Sequence, residues 1–241
     1  MLKAAAAAVI GTATATAYRI AGHQVSRPLL AALALALALL LVVPRRVWRW
    51  ARLGVTAVHE SGHAVVALVV GRKVTAIHLR PDSSGVTLHY GKGGGFRRLL
   101  TAAAGYPAPG LLAVGGAALL AYRQPRIWLV ALLALGVVNM ILWIRNFFGS
   151  VVMALWIAGV GWLFFRGTAG IDAGVGSVAV WFLALGGLRA AFELPRAPGA
   201  SDAADVAKVL HLPSGLCRAG FVLTAAAAAL GAARLLSITL R

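Results

Sequence analysis

Apolar runs of about twenty residues recur along this chain, and no other feature narrows its possible folds so far. They lie at 28–43, 53–71, 99–121, 127–144, 147–165, 174–192 and 214–237. A helix crossing the hydrocarbon core of a bilayer needs roughly 20 mostly apolar residues. Lipid offers exposed backbone groups no partner, so a spanning segment must be a helix or part of a closed barrel. These runs are too long and too rich in Ala and Leu for barrel strands. The sequence predicts an all-α polytopic membrane protein with about seven spans. Composition agrees: 61% of residues are hydrophobic and 12% charged, against about 45–50% and 25% in soluble domains. So few charges cannot coat a water-facing surface.

The rest of the chain is organised around these runs, as one membrane-embedded domain over 1–241. Residues 1–27 are poorly defined by their sequence. Ala4 to Ala17 reads either as a signal peptide with an Ala-x-Ala site or as an extra short helix. The break at 72–98 differs from the others. Lys73–Arg80 and Val86–Tyr90 alternate around the turn residues Pro81-Asp-Ser-Ser-Gly85, which predicts a β-hairpin, followed by a Gly-rich connector. Two prolines in Gly105-Tyr-Pro-Ala-Pro-Gly110 predict a kink in the third run. Prolines after Glu193 end the sixth, and Ser201 is a good N-cap for a short polar helix.

A net charge of +17 raises the question of a nucleic-acid partner. The basic residues mark the ends of apolar runs instead of forming one face, which excludes that partner and fits anionic lipid headgroups. Arg45, Arg46, Arg49 and Arg52 read as the densest short loop, expected in the cytoplasm. The single cysteine, Cys217, rules out an internal disulfide.

Chemistry enters at His59-Glu60-Ser61-Gly62-His63. Residues four apart share a helix face, so both imidazoles can reach one ion. Zn²⁺ takes such nitrogens and keeps an open position in catalytic sites, where the intervening glutamate serves as general base. With 6 His and two Glu among 241 residues, a chance match is on the order of one in a thousand. The motif also lies in an apolar run, where an acid costs roughly 2.5–3.5 kcal/mol at a helix centre and marks a functional site by default. A third ligand must come mainly from six acids: Glu60, Asp82, Asp172, Glu193, Asp202 and Asp205. The metzincin extension fails, because Val66 and Val69 stand where it needs Gly and His. Glu193, among prolines, is a poor helical ligand.

A zinc motif in a membrane run, followed by a hairpin and more runs, resembles the site-2 protease family of intramembrane zinc metallopeptidases, and its short bacterial members most closely. The resemblance spans about Val58 to Pro213. It rests on His59–Ala64, Gly71–Val74, Pro81–Thr87, Gly105–Gly110, Arg145–Gly149 and Ser201–Ala207. It implies a multi-pass protein of the bacterial plasma membrane with zinc as cofactor. Glu60 would be the general base, and a membrane-embedded or membrane-proximal protein or peptide the substrate. In the wider family the third ligand is an Asp in an Asn…Pro…Leu-Asp-Gly arrangement, which this chain lacks. Its Ser-Asp-Ala stretch implies Asp202. Asp172, in Gly170-Ile-Asp-Ala-Gly174, is the rival because it loosely mimics Leu-Asp-Gly, and counting alternating spans favours it by returning its loop to the end near His59 and sending the 201 loop to the far side. Asp202 then requires that an intervening run fail to cross, and the Pro-broken 99–121 run is the candidate.

The resemblance also implies a substrate-positioning role for Asn146, with helix capping or an interhelical hydrogen bond as the alternative. His78 and His89 read as hairpin surface, Asp205 and His211 as solvated residues of the short helix, and the seven Trp as an interfacial belt. A competing function remains: a non-proteolytic metal-binding scaffold or transporter that keeps the zinc motif.

Overall fold

The computed structural model describes residues 17–20, 23–91, 94–194 and 201–239. The expected signal or short helix at 4–17 lies outside the described residues except for Ala17, and the centre of the Gly-rich connector and the loop 195–200 lie outside them as well. The N-terminal part opens with a hairpin that the sequence did not suggest, β1 (Ala17–Ile20) and β2 (His23–Ser26). Ser26 then caps α1 (Arg27–Val42), its Oγ accepting from the Leu29 N–H at 3.4 Å.

The basic cluster at 45–52 is not a loop. It forms the opening turns of α2 (Arg45–Val69), which carries His59, Glu60 and His63. Arg is a good helix former, and Pro44 at the N-cap ends the preceding helix while leaving the next free to start. The two helices meet at 101°. Arg189 holds the corner, donating from Nη1 to the carbonyls of Val42 and Val43, while Glu193 accepts from Trp48 Nε1 at 3.0 Å and from Arg52 at 3.2 Å.

The predicted hairpin is present as β3 (Lys73–Leu79) and β4 (Gly85–Tyr90), antiparallel, with Ile77 opposite Thr87 and Leu79 opposite Gly85. Its turn is fixed by Asp82, whose Oδ1 accepts from Ser84 N–H at 2.9 Å and Ser84 Oγ at 2.6 Å, with Ser83 left-handed at φ 64°. The other edge of β3 is covered: Ile77 bridges Ile144, and Arg145 N–H donates to Ile77 O at 3.3 Å.

The Pro-broken run is two helices, α3 (Gly95–Ala103) and α4 (Pro107–Ala121), bent by 56°. Next come α5 (Pro125–Val138) with a π-helical extension at Asn139–Trp143, α6 (Phe147–Arg166) and α7 (Ala169–Phe192). A short α8 (Asp202–Leu210), capped by Ser201 Oγ accepting from Ala204 N–H at 3.2 Å, leads to α9 (Ser214–Ile238). The apolar runs suggested about seven spans. Among the described residues 4 helices are long and apolar enough to cross a membrane, or up to 6 if each bent pair is one span. The difference arises because the first two runs form one bent pair. The protein is therefore a multi-pass membrane protein.

The main core lies between α4, α5, α7 and α9. Trp128, Leu129, Leu132, Val180 and Leu183 fill it, while Ala113, Ala117 and Ala232 let the backbones close up. Small residues at such contacts are the usual means of packing helices in lipid, where no hydrophobic drive separates a helix from its surroundings. The tryptophans divide. Trp50 and Trp162 are exposed, as an interfacial belt requires, but Trp48, Trp128 and Trp143 are buried. Trp128 donates to Gly176 O at 3.1 Å and Trp156 to Leu132 O at 2.9 Å, so their indoles anchor helices to one another.

Candidate metal centre

The site begins with helical periodicity. His59 and His63 stand one turn apart on α2, and their Nε2 atoms lie 3.1 Å from each other. Each is also 3.1 Å from Oδ2 of Asp202, at the start of α8. Three ligand atoms thus form a triangle of equal 3.1 Å sides. A tetrahedral ion with bonds of about 2.0–2.1 Å spaces its ligands about 3.3 Å apart, so the triangle is within a few tenths of an ångström of that geometry. All three residues line one cavity, which leaves room for a fourth ligand.

The tautomers suit the same reading. His63 Nδ1 lies 2.7 Å from Thr101 O. A carbonyl only accepts, so Nδ1 carries the proton and Nε2 presents a lone pair. An orienting bond of this kind accompanies most metal-binding histidines. His59 is braced edge-on by Tyr106, with ring centroids 4.6 Å apart.

Gly105, at the break between α3 and α4, passes so close to both imidazoles that an added Cβ would lie 2.6 Å from His59 Nε2 and would also collide with His63 Nε2. The missing side chain leaves room at the point where both nitrogens converge, and the residues present fit a small divalent cation. The cluster of His59, His63 and Asp202 can hold a metal ion.

Glu60 points into the same cavity, of about 790 Å³. Its carboxylate is buried, and Oε2 accepts from Thr87 Oγ at 2.6 Å. Gly85 lies so close that a Cβ there would meet Glu60 Oε1 at 2.7 Å. The hairpin therefore packs directly on the glutamate and engages one oxygen, with no side chain at Gly85 to crowd the other.

The remaining sequence-predicted residues fall as follows. Asp172 is not at the cluster. It is buried in the first turn of α7 with its Oδ2 3.9 Å from Arg126 Nη1. Asn146 is outside the cavity lining, and both ends of its amide engage Leu79, accepting from N–H at 3.1 Å and donating to O at 2.7 Å. Here it acts as a one-residue strand neighbour to β3. Glu193 is occupied at the α1–α2 corner. Asp205 is not merely solvated, because it pairs with Arg98 at 2.7 Å and ties α8 to α3. His89 is half-buried and lines the cavity, where burial and the nearby Arg72 push its imidazole below its ordinary range.

Sequence reasoning missed Thr101, Thr87 and Gly105 as parts of the site. Thr101 had no local signal, since a carbonyl is recognised only by what it faces, and Thr87 stood in the Pro81–Thr87 stretch of the resemblance with no role of its own. Gly105 carried one, a glycine beside a Pro-broken helix, but it reads equally well as a kink.

The family model described as Peptidase M50B-like matches residues 32–232, most of the chain. No curated protein and no solved structure matches it.

Proposed function

The chain belongs to the Peptidase M50B-like family, hence to the site-2 protease family of metallopeptidases, and from that premise we propose that it is an intramembrane zinc endopeptidase. The observation that carries the reading is the triangle of two imidazole nitrogens and one carboxylate oxygen, all 3.1 Å apart, beside a buried glutamate. His59, His63 and Asp202 would hold the ion. Zinc, when bound, lowers the pKa of water towards about 7 and polarises a peptide carbonyl.

The protein's own groups then have defined tasks. Glu60 takes a proton from the attacking water at Oε1 and passes it to the leaving amine nitrogen as the C–N bond breaks. Thr87 keeps Oε2 engaged, so the carboxylate cannot rotate away. Substrate enters as an extended segment of a membrane-embedded or membrane-proximal protein, because a helix must unwind before its peptide bonds are accessible. The outer edge of β4 is the place for it. Among the described residues that edge has no strand partner, whereas the far edge of β3 is taken by Ile144–Asn146. An added strand there would cross the cavity above Glu60, with main-chain hydrogen bonds giving affinity and side-chain pockets giving selectivity.

Asn146 takes no direct part in this scheme and steadies the hairpin from behind. The test is Glu60→Gln in purified, reconstituted protein. Zinc content should stay at one per chain while cleavage of a transmembrane peptide falls at least a hundredfold. Unimpaired turnover would remove Glu60 from this role, and zinc binding with no cleavage by the wild type would favour a metal-binding scaffold.

A further inference from the structure

A second cavity, of about 380 Å³, lies well away from the metal centre. It is lined near the N-terminal ends of three helices: α1 by Arg27, α5 by Pro125 and α7 by Ala169. Ala169 and Gly187 are on the same helix, and Gly187 lines the catalytic cavity. At 1.5 Å per residue the two cavities are about 27 Å apart along α7, close to the thickness of a bilayer core. This cavity is therefore at the membrane face opposite the catalytic one.

Its electrostatics are one-sided. Two arginines, Arg27 and Arg123, line it and no acid does. The helix starts add their own partial positive charge, since first-turn N–H groups are unpaired within the helix. The helix ends at the same place add little opposing charge. The closing carbonyls of α4 are taken by the N–H groups of Tyr122, Arg123 and Gln124, and Leu236 O by Thr239. Asp172, in the first turn of α7, faces Arg126 instead.

Two observations point to a ligand. Arg27 is 6% exposed, yet its Nε has no hydrogen-bond partner, and its guanidinium forms no ion pair among the described residues. A buried cation left so is costly unless an anion completes it. Arg123 stands at φ 58°, in the left-handed position after a helix that glycine ordinarily fills. Strain of this kind at a cavity wall marks a residue kept for its side chain.

We propose that this cavity binds the phosphate group of an anionic phospholipid. The guanidiniums of Arg27 and Arg123 pair with the phosphate oxygens. Gln124 and Tyr122 are placed to donate to the headgroup, and the apolar wall of Leu30, Leu120 and Ala173 lies against the start of the acyl chains. The ends of membrane-crossing helices put the site at headgroup depth, where such lipids present their charge.

The experiment uses the full chain in a mild zwitterionic detergent, titrated with short-chain phosphatidylglycerol, short-chain phosphatidylcholine or inorganic phosphate. Native mass spectrometry reads the bound species and thermal unfolding reads the affinity. The expected result is one saturable phosphatidylglycerol per chain, with phosphatidylcholine at least tenfold weaker. Arg27→Gln should weaken the lipid at least tenfold and Arg123→Gly about fivefold, while Arg166→Gln, at an exposed position, leaves it unchanged. Arg123→Gly removes the cation while relieving the backbone, so it should fold even if Arg27→Gln does not. Equal binding of the two lipids would overturn the proposal, as would wild-type affinity in Arg123→Gly. Inorganic phosphate binding as tightly as the lipid would overturn the lipid assignment in favour of a soluble phosphate ligand.

Discussion

Gly105→Ala isolates the metal centre without touching a ligand. The added methyl would sit 2.6 Å from His59 Nε2, about 0.8 Å inside the 3.4 Å of an ordinary contact, and would clash with His63 Nε2 as well. Nothing about the backbone forbids alanine, since no left-handed φ occurs at Gly105. The cost is therefore steric, and its nearest clashes are with the two imidazoles. Relief by shifting the helices would cost about 1–3 kcal/mol, the usual range for overpacking, and relief by swinging the rings would break the triangle. A methyl within 2.6 Å of a nitrogen whose metal bond is about 2.0–2.1 Å long also takes the ion's own space. Second-sphere disturbances alone weaken metal sites about 10–100-fold. Direct blocking should exceed that, so zinc affinity should fall by at least a hundredfold, and cleavage with it. The assay is zinc stoichiometry by elemental analysis and affinity by chelator competition. Gly115→Ala, where a methyl meets nothing within 4 Å, is the matched control. Full zinc occupancy and unimpaired cleavage in Gly105→Ala would refute the placement of the ion between His59 and His63.

His59→Ala and His63→Ala should each abolish stoichiometric zinc, because two remaining ligands cannot hold the ion against solvent; elemental analysis of the purified variants decides it. Thr87→Val removes the 2.6 Å hydrogen bond to Glu60 and should lower kcat about tenfold with zinc unchanged, as read by the same cleavage assay. The Glu193 carboxyl sets a pH dependence of stability. Burial pushes it up, but the Trp48 and Arg189 hydrogen bonds and the charge of Arg189 and Arg52 prevail and depress it. A depressed acid contributes stability above its unfolded pKa, about 4.3, and loses it as pH falls through the lower folded value. Thermal unfolding of wild type and Glu193→Gln should accordingly converge as the pH is taken below about 4.

Some of this protein was fixed by the order of its residues alone. Apolar runs of the right length force helices on any chain placed in lipid, and the β-branched alternation around Pro81–Gly85 forces a hairpin. The four-residue spacing of His59 and His63 puts two imidazoles on one helix face wherever that helix lies. These are local consequences of period and composition, and they need no partner. The rest depended on where elements meet. Counting spans placed the 201 loop across the membrane from His59, and it favoured Asp172 on that ground. The count assumed that each apolar run crosses once and straight. Pro44 joins the first two runs in one bent pair and the Gly105–Pro109 break bends the third, and the fold brings Asp202 within 3.1 Å of both imidazoles while Asp172 settles beside Arg126. Thr87, Thr101 and Gly105 likewise acquire their roles only through contact. A hydroxyl, a carbonyl and an absent side chain have no chemistry of their own until packing sets something against them.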